Sequence, residues 1–268
     1  MSGAGGITGG GGGEFTPATS IKEAEKFADK IGAPKMPRTA KAAAQMKVDA
    51  LSQIYEDIHL YDAEKQKIYK NWLKKFENKK LKPFSDINSK QFLDVQNAIN
   101  QNYMNPKYRK IINGLVDDHT IFSKYFEEGA HFGGEFIGGT THLYEHKWFE
   151  GLKSVIPTPG KVGSNAWGGT QAVLRHEYGH KIYNQLSRFH PEWRNQWQRR
   201  LGAVDDIGKK LTTYSKEKIS IGDEAFCELF SLVTDTKYNP ANFSSEIVEM
   251  GEFILEKIKT TKWQRISA

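Results

Sequence analysis

The sequence predicts an α+β fold that is predominantly helical. Two observations carry this expectation. Apolar residues recur at helical spacing through most of the chain between Ser20 and Lys259, and only the stretch around 131–144 has the paired glycines and interleaved aromatics of short strands and turns. A hydrophobic fraction of 38% is low but enough for a core, and 12% aromatic residues argue against wholesale disorder. By composition the 268 residues divide into a disordered glycine-rich tail over 1–18, an all-helical N-terminal region over 19–125 and a C-terminal domain over 126–268.

Ser20 opens the first helix with Glu23 as its capping-box partner, and Ile21, Ala24, Phe27, Ala28 and Ile31 form its apolar stripe until Pro34 and Pro37 break it. Thr39 to about Lys80 reads as two helices meeting near Asp62, and another helix spans Ser89 to Tyr103 ahead of Asn105-Pro106. No recognisable chemistry accompanies this half. Strand-like texture then covers His131 to Tyr144, and the loop from Pro157 to Gly169 is placed to border a cleft. A helix follows over Gln171 to Phe189, built on Val173, Leu174, Ile182, Tyr183 and Leu186 and ended by Pro191. Trp193 and Trp197 read as a packing stripe. Gly222-Asp223 punctuates the next helix, whose apolar face is Ala225, Phe226, Leu229, Phe230 and Val233. A last amphipathic helix from Ser244 to Lys259, on Ile247, Met250, Ile254 and Ile258, is expected to cover it.

The chemistry concentrates in His176-Glu177-Tyr178-Gly179-His180. Residues four apart lie one above the other on a helix face, so His176 and His180 can point their imidazoles at one ion. Neutral imidazole suits zinc, a catalytic zinc site keeps one position open for water, and Glu177 on the same turn is placed to take that water's proton. One more protein ligand must come from elsewhere. The best source is the Gly222 helix, where Glu224 and Glu228 are again four apart on a face bordered by Phe226, Leu229 and Phe230. Carboxylates are seldom buried unless paired or metal-bound, so one of the two can ligate while the other accepts a hydrogen bond from a ligand histidine. Cys227 between them reads as a small buried residue. His142 and His146 are also four apart, but the glycines around them argue against a helix; His59, His119, His131 and His190 read as ordinary polar positions.

The HExGH pattern followed by a glutamate inside an E-x-x-[AC]-E helix resembles the catalytic-domain family of anthrax lethal factor and related gluzincin-type zinc peptidases, and similar cassettes in bacteriophage head-associated proteins. The likeness covers roughly residues 165–258, and the separation of 44 positions from His180 to Glu224 is similar to the family's spacing. It implies a zincin-like catalytic domain with a small sheet beside the HExxH helix, whose edge strand holds an extended peptide. It implies Zn2+ on His176, His180 and Glu224, Glu177 as general base, Glu228 as the carboxylate behind a ligand histidine, and Tyr214 in Thr212-Thr213-Tyr214-Ser215 as oxyanion donor. The stretch from Tyr214 to Glu224 is a few residues longer than the family pattern, and Cys227 stands where alanine is common. The activity implied is a zinc-dependent endopeptidase in which Glu177 assists attack of a zinc-bound water on a peptide bond. The alternative is a phage virion-associated structural or interaction protein with a non-catalytic zinc site.

Charge and hydropathy bound the partners. The net charge of +6 is spread along the chain, and the one concentration, at Lys74-Lys75 and Lys79 to Lys82, reads as the solvated end of a helix, so nucleic acid is not an expected partner. A peptide or protein substrate is expected, with phage capsid or head proteins as further partners implied by the resemblance. No apolar run approaches the roughly 20 residues that span a bilayer, and Met1-Ser2-Gly3-Ala4 leads into glycines without the features of a signal peptide. With a single cysteine there is no intramolecular disulfide, and the expected location is a bacterial host cytoplasm or a phage virion.

Overall fold

The structure, a computed structural model, describes residues 15–39, 42–43, 46, 89–112, 119–123, 134–137, 140–144, 169–217 and 222–263. It is predominantly helical. In chain order the elements are α1 (Ile21–Ile31), α2 (Ser89–Met104), α3 (Pro106–Ile112), β1 (His119–Ser123), β2 (Gly134–Ile137), β3 (Thr140–Tyr144), α4 (Gly169–Phe189), α5 (Pro191–Ala203), α6 (Ile207–Lys210), α7 (Asp223–Val233) and α8 (Ser245–Thr260), with 3-10 turns at Thr213–Lys216 and Pro240–Asn242. Of the helices expected over Thr39 to Lys80 only Thr39, Ala42, Ala43 and Met46 are described; the rest of them, the lysine cluster, the loop from Pro157 towards Gly169, and His59, His131 and His146 lie outside the described residues.

The helix boundaries follow local chemistry. Ser20 caps α1 by accepting from the Glu23 N–H at 3.3 Å, while the Glu23 carboxylate reaches back to the Thr19 N–H at 3.0 Å and hydroxyl at 2.7 Å. Gly32, with φ +70°, ends the helix. Residues 15–18, assigned by composition to the disordered tail, are instead placed against α1 and α2. Phe15 packs edge-on to Phe27, with ring centroids 5.5 Å apart, and Asn97 brackets both backbone groups of Ala18 at 3.1 and 3.0 Å. An aromatic ring to bury separates this end of the tail from its glycines.

Helix α2 has a face that the apolar pattern does not announce. Gln96, Asn97, Asn100 and Asn102 are buried, and their amides serve as brackets for neighbouring backbone: Gln96 to Met36 and Pro34, Asn100 to Ala24, Asn102 to Gln171. A hydrophobic cluster lies alongside, joining Ala28, Ala33 and Met36 to Phe92, Val95, Ala98 and Ile99, and on to Leu143 and Leu174. The three strands are ordered β1-β3-β2, with β1 parallel and β2 antiparallel to β3, and β2 and β3 lie beside α4.

The main core sits between α3, α4, α5, α7 and α8. Phe226 is at its centre, with the rings of Tyr183, Trp193, Trp197 and Phe230 all within 6.3 Å. Trp193 stacks with both Trp197 and Phe253, so the tryptophan pair is a packing stripe as its spacing indicates. Ile247, Met250, Ile254 and Ile258 are buried as α8 covers α7. Trp197 also fixes where α7 begins. Its indole N–H donates to Gly222 O at 2.9 Å, and Gly222 has φ +74° with no room for a Cβ beside that indole, so only glycine fits the helix start. Among the described residues no helix is long and apolar enough to cross a membrane.

Phe226 is fully buried at the centre of this aromatic cluster. Phe226→Ala is expected to lower stability by about 3–5 kcal/mol, as for other fully buried aromatic deletions, read from the midpoint of urea unfolding.

Candidate metal centre

Helices α4 and α7 run antiparallel and make the most extensive interhelix contact among the described residues. Their close approach is permitted at Gly179: a Cβ there would lie 3.0 Å from Cys227 Cα and 3.2 Å from its Sγ. With the backbones this near, side chains one turn to either side meet directly. Glu224 Oε2 lies 3.2 Å from His176 Nε2 and 3.5 Å from His180 Nε2. Glu228, one turn further along α7, places Oε1 2.8 Å from the other ring nitrogen of His176. The two imidazoles stand edge to face, with centroids 5.1 Å apart. His176, Glu177, Glu224 and Glu228 are all buried, and His180 is the more open of the two histidines.

The cluster is strongly acidic, and the electrostatics follow. Burial opposes a charge on His176, but hydrogen bonding to Glu224 and Glu228, with the Glu177 charge adding, outweighs it and holds the imidazole up at about 10. In the metal-free protein a proton on His176 thus compensates the carboxylates that surround it. Tyr214, half-buried in the 3-10 turn, places its ring 5.8 Å from that of His176. Burial, and then the charges of Glu224, Glu217, Glu177 and Glu228, push its phenol well up, so it stays a hydrogen-bond donor.

Whether these residues suit a metal can be judged from the donors themselves. A tetrahedral ion with bonds of about 2.0–2.1 Å sets its ligand atoms about 3.3 Å apart. The Glu224 oxygen stands 3.2 and 3.5 Å from the two Nε2 atoms, a separation that one ion between them would satisfy. Glu228 occupies the nitrogen of His176 that faces away from Glu224, the position from which a carboxylate orients a ligand imidazole. His176, His180 and Cys227 also form a group with ligand atoms all within 4.8 Å of one another, able to hold a metal ion. Cys227 is buried as its sequence context indicates, but it is also close enough to be a donor, which the sequence reading set aside. Burial first, then the surrounding carboxylates, push its thiol well up, and Sγ is lodged against the α4 backbone at Gly179. Either Glu224 or Cys227 is therefore placed to be the third donor.

The residues singled out from sequence, His176, Glu177, His180, Tyr214, Glu224 and Glu228, therefore come together in one cluster. Asp223, read only as helix punctuation, adds a carboxylate 4.0 Å from His180 Nδ1. Its place immediately before Glu224 was the available signal. Comparison with known protein families, curated proteins and solved structures gives no match for this chain.

Two outcomes follow. Gly179→Ala must force α4 and α7 apart by a few tenths of an ångström, so it is expected to cost about 1–3 kcal/mol and to weaken metal binding in a chelator competition. The second concerns pH. The His176 pKa is raised in the folded state from 6.5 to about 10, so in chelator its proton stabilises the fold fully below about 6.5, and this contribution is lost as pH rises through about 10. A metal must displace that proton, so metal affinity should rise with pH up to about 10 and level off above it, with proton release visible as a buffer-dependent heat in calorimetry.

Proposed function

We propose that the protein is a zinc-dependent endopeptidase of the glutamate-ligand zincin type, with the small sheet beside α4 bordering the substrate cleft. One observation carries the reading. A single carboxylate oxygen on α7 reaches both histidines of α4, while Glu177, on the same turn as His176, is near enough for its charge to bear on His176 and Tyr214.

His176, His180 and Glu224 would hold the ion, a donor set of two imidazoles and one carboxylate that suits zinc. Zinc would supply Lewis acidity, polarising a carbonyl and acidifying water. Glu177 accepts the proton of the attacking water on its carboxylate and delivers it to the leaving amine nitrogen. Tyr214 donates its phenolic hydrogen to the oxyanion that develops on the former carbonyl. Glu228, 2.8 Å from His176 Nδ1, would accept from its N–H and so leave the Nε2 lone pair for the ion. An extended peptide would pair its backbone with an edge of the sheet, where β2 lies beside α4. The substrate is thus a peptide or protein, with side-chain preference set by residues outside the motif.

A second reading is favoured by the place of Cys227. A metal held by His176, His180, Glu224 and the Cys227 thiolate would have four protein donors and no open position, making it a structural staple. A phage virion component of that kind would bind metal and cleave nothing.

Glu177→Gln separates the two. The variant should keep its metal and lose turnover by about 10²–10⁴-fold or more in a peptide-library cleavage profile run beside wild type. Turnover retained by metal-replete Glu177→Gln would overturn the peptidase mechanism. Glu224→Ala should weaken the metal itself, and Glu228→Ala should do so by less, on the order of 10–100-fold; the reverse order would exchange the two glutamates' roles.

A further inference from the structure

One residue before His176, α4 carries Arg175, a fully buried arginine that the proposed reaction does not use. Each guanidinium nitrogen has its own partner. Nε donates to Ser231 O at 3.1 Å, Nη1 to Asn102 Oδ1 at 2.9 Å, and Nη2 to Asp235 Oδ2 at 2.6 Å. The bonds continue outward: the Asn102 amide donates to Gln171 O at 3.1 Å, the Ser231 hydroxyl to Ala172 O at 2.9 Å, and the Asn105 amide to Thr234 O at 2.5 Å. Arg175, Asp235, Asn102 and Ser231 are all buried. One network therefore ties α2 and α4 to the C-terminal turn of α7.

Adhesion alone does not explain such a network. Taking an arginine out of water is costly even when it is paired, and apolar residues of similar volume often hold helices together as well or better. Directed hydrogen bonds do what an apolar contact does not: they fix rotation and axial register. The last carbonyls of a helix have no partner inside it, and a cation there complements the helix dipole. Arg175 and Asn105 occupy that position on α7. At the other end of the same helix Glu224 must reach two nitrogens at once, and a slide of one residue, about 1.5 Å, would break that reach.

We propose that Arg175, with Asp235 and Asn102, is a positioning device for the metal centre: it sets the register of α7 on α4 that brings Glu224 to both histidines. This rests on the metal-binding part of the reading above. Arg175 touches neither metal nor substrate and acts only through α7.

The test uses the full chain and the double variant R175M/D235L, which replaces the ion pair by apolar volume. Thermal unfolding of the metal-free protein, zinc affinity by chelator competition and the visible spectrum of the cobalt(II) derivative are compared with wild type. The expected result is a folded variant whose metal-free Tm is close to or above that of wild type. Its zinc affinity should be lower by on the order of 10–100-fold, and its cobalt spectrum altered. Unchanged affinity and spectrum in the folded variant would overturn the proposal and leave the network as adhesion. Should the double variant not fold, Arg175→Lys carries the test, since it keeps the charge opposite Asp235 but has no fork to engage Ser231 and Asn102 together. Weaker zinc binding and an altered cobalt spectrum in that variant support positioning, and wild-type values overturn it. Wild-type protein that binds neither ion would overturn the metal reading and this inference with it, whereas wild-type binding matched by the variants overturns this inference alone.

Discussion

The close contact of α4 with α7 at Gly179 and Cys227 is the constraint on which the rest depends. Two histidines on one helix can share a carboxylate from another only if the backbones approach closely enough for short side chains to meet. A glycine opposite a small residue permits that approach, and the surrounding core maintains it. Phe226 and its aromatic ring of neighbours hold the outer face of α7, Trp197 fixes its first residue through Gly222, and Arg175 holds its last turn. The helix is thus constrained at both ends and along its length, and Glu224 lies within the constrained segment.

That arrangement gathers charge where charge is costly. Glu177, Glu224 and Glu228 are all buried around His176, and such a cluster persists only where protons or cations offset its charge. A proton on His176 supplies part of it, which is why its affinity for that proton is so far above that of a free imidazole. A divalent cation would supply more and would use the same nitrogens. Proton and metal are therefore competitors for one electrostatic role, and the acidic cluster that holds the proton is also what would draw a cation in.

Much of the candidate site was legible in the sequence because a helix imposes a simple periodicity. His176 with His180 and Glu224 with Glu228 are pairs four apart, and each pair shares a face for that reason alone. The start of α1, the end of α4 and the starts of α7 and α8 were legible from Ser20, Pro191, Gly222 and Ser244. Arg175 was not legible, because a lone arginine in a helix is exposed far more often than buried and its partners lie 56 to 73 residues away in sequence. The amides of α2 were hidden for the same reason. Asn97 and Asn100 look solvent-facing until the backbone segments that they bracket are in place. Phe15 to Ala18 were assigned to the tail because composition averages over a window and so blurs the point at which glycine gives way to residues that can pack.

The central claim is that His176, His180 and Glu224 form the metal's protein ligand set. X-ray absorption at the zinc edge of the zinc-loaded protein tests it most directly, since nitrogen and oxygen ligands lie at about 2.0–2.1 Å and a thiolate at about 2.3 Å. The account predicts a shell of nitrogen and oxygen alone, with the scattering signature of two imidazoles, unchanged by Cys227→Ala. A sulfur shell that disappears in Cys227→Ala, or a protein that takes up no zinc, would contradict it.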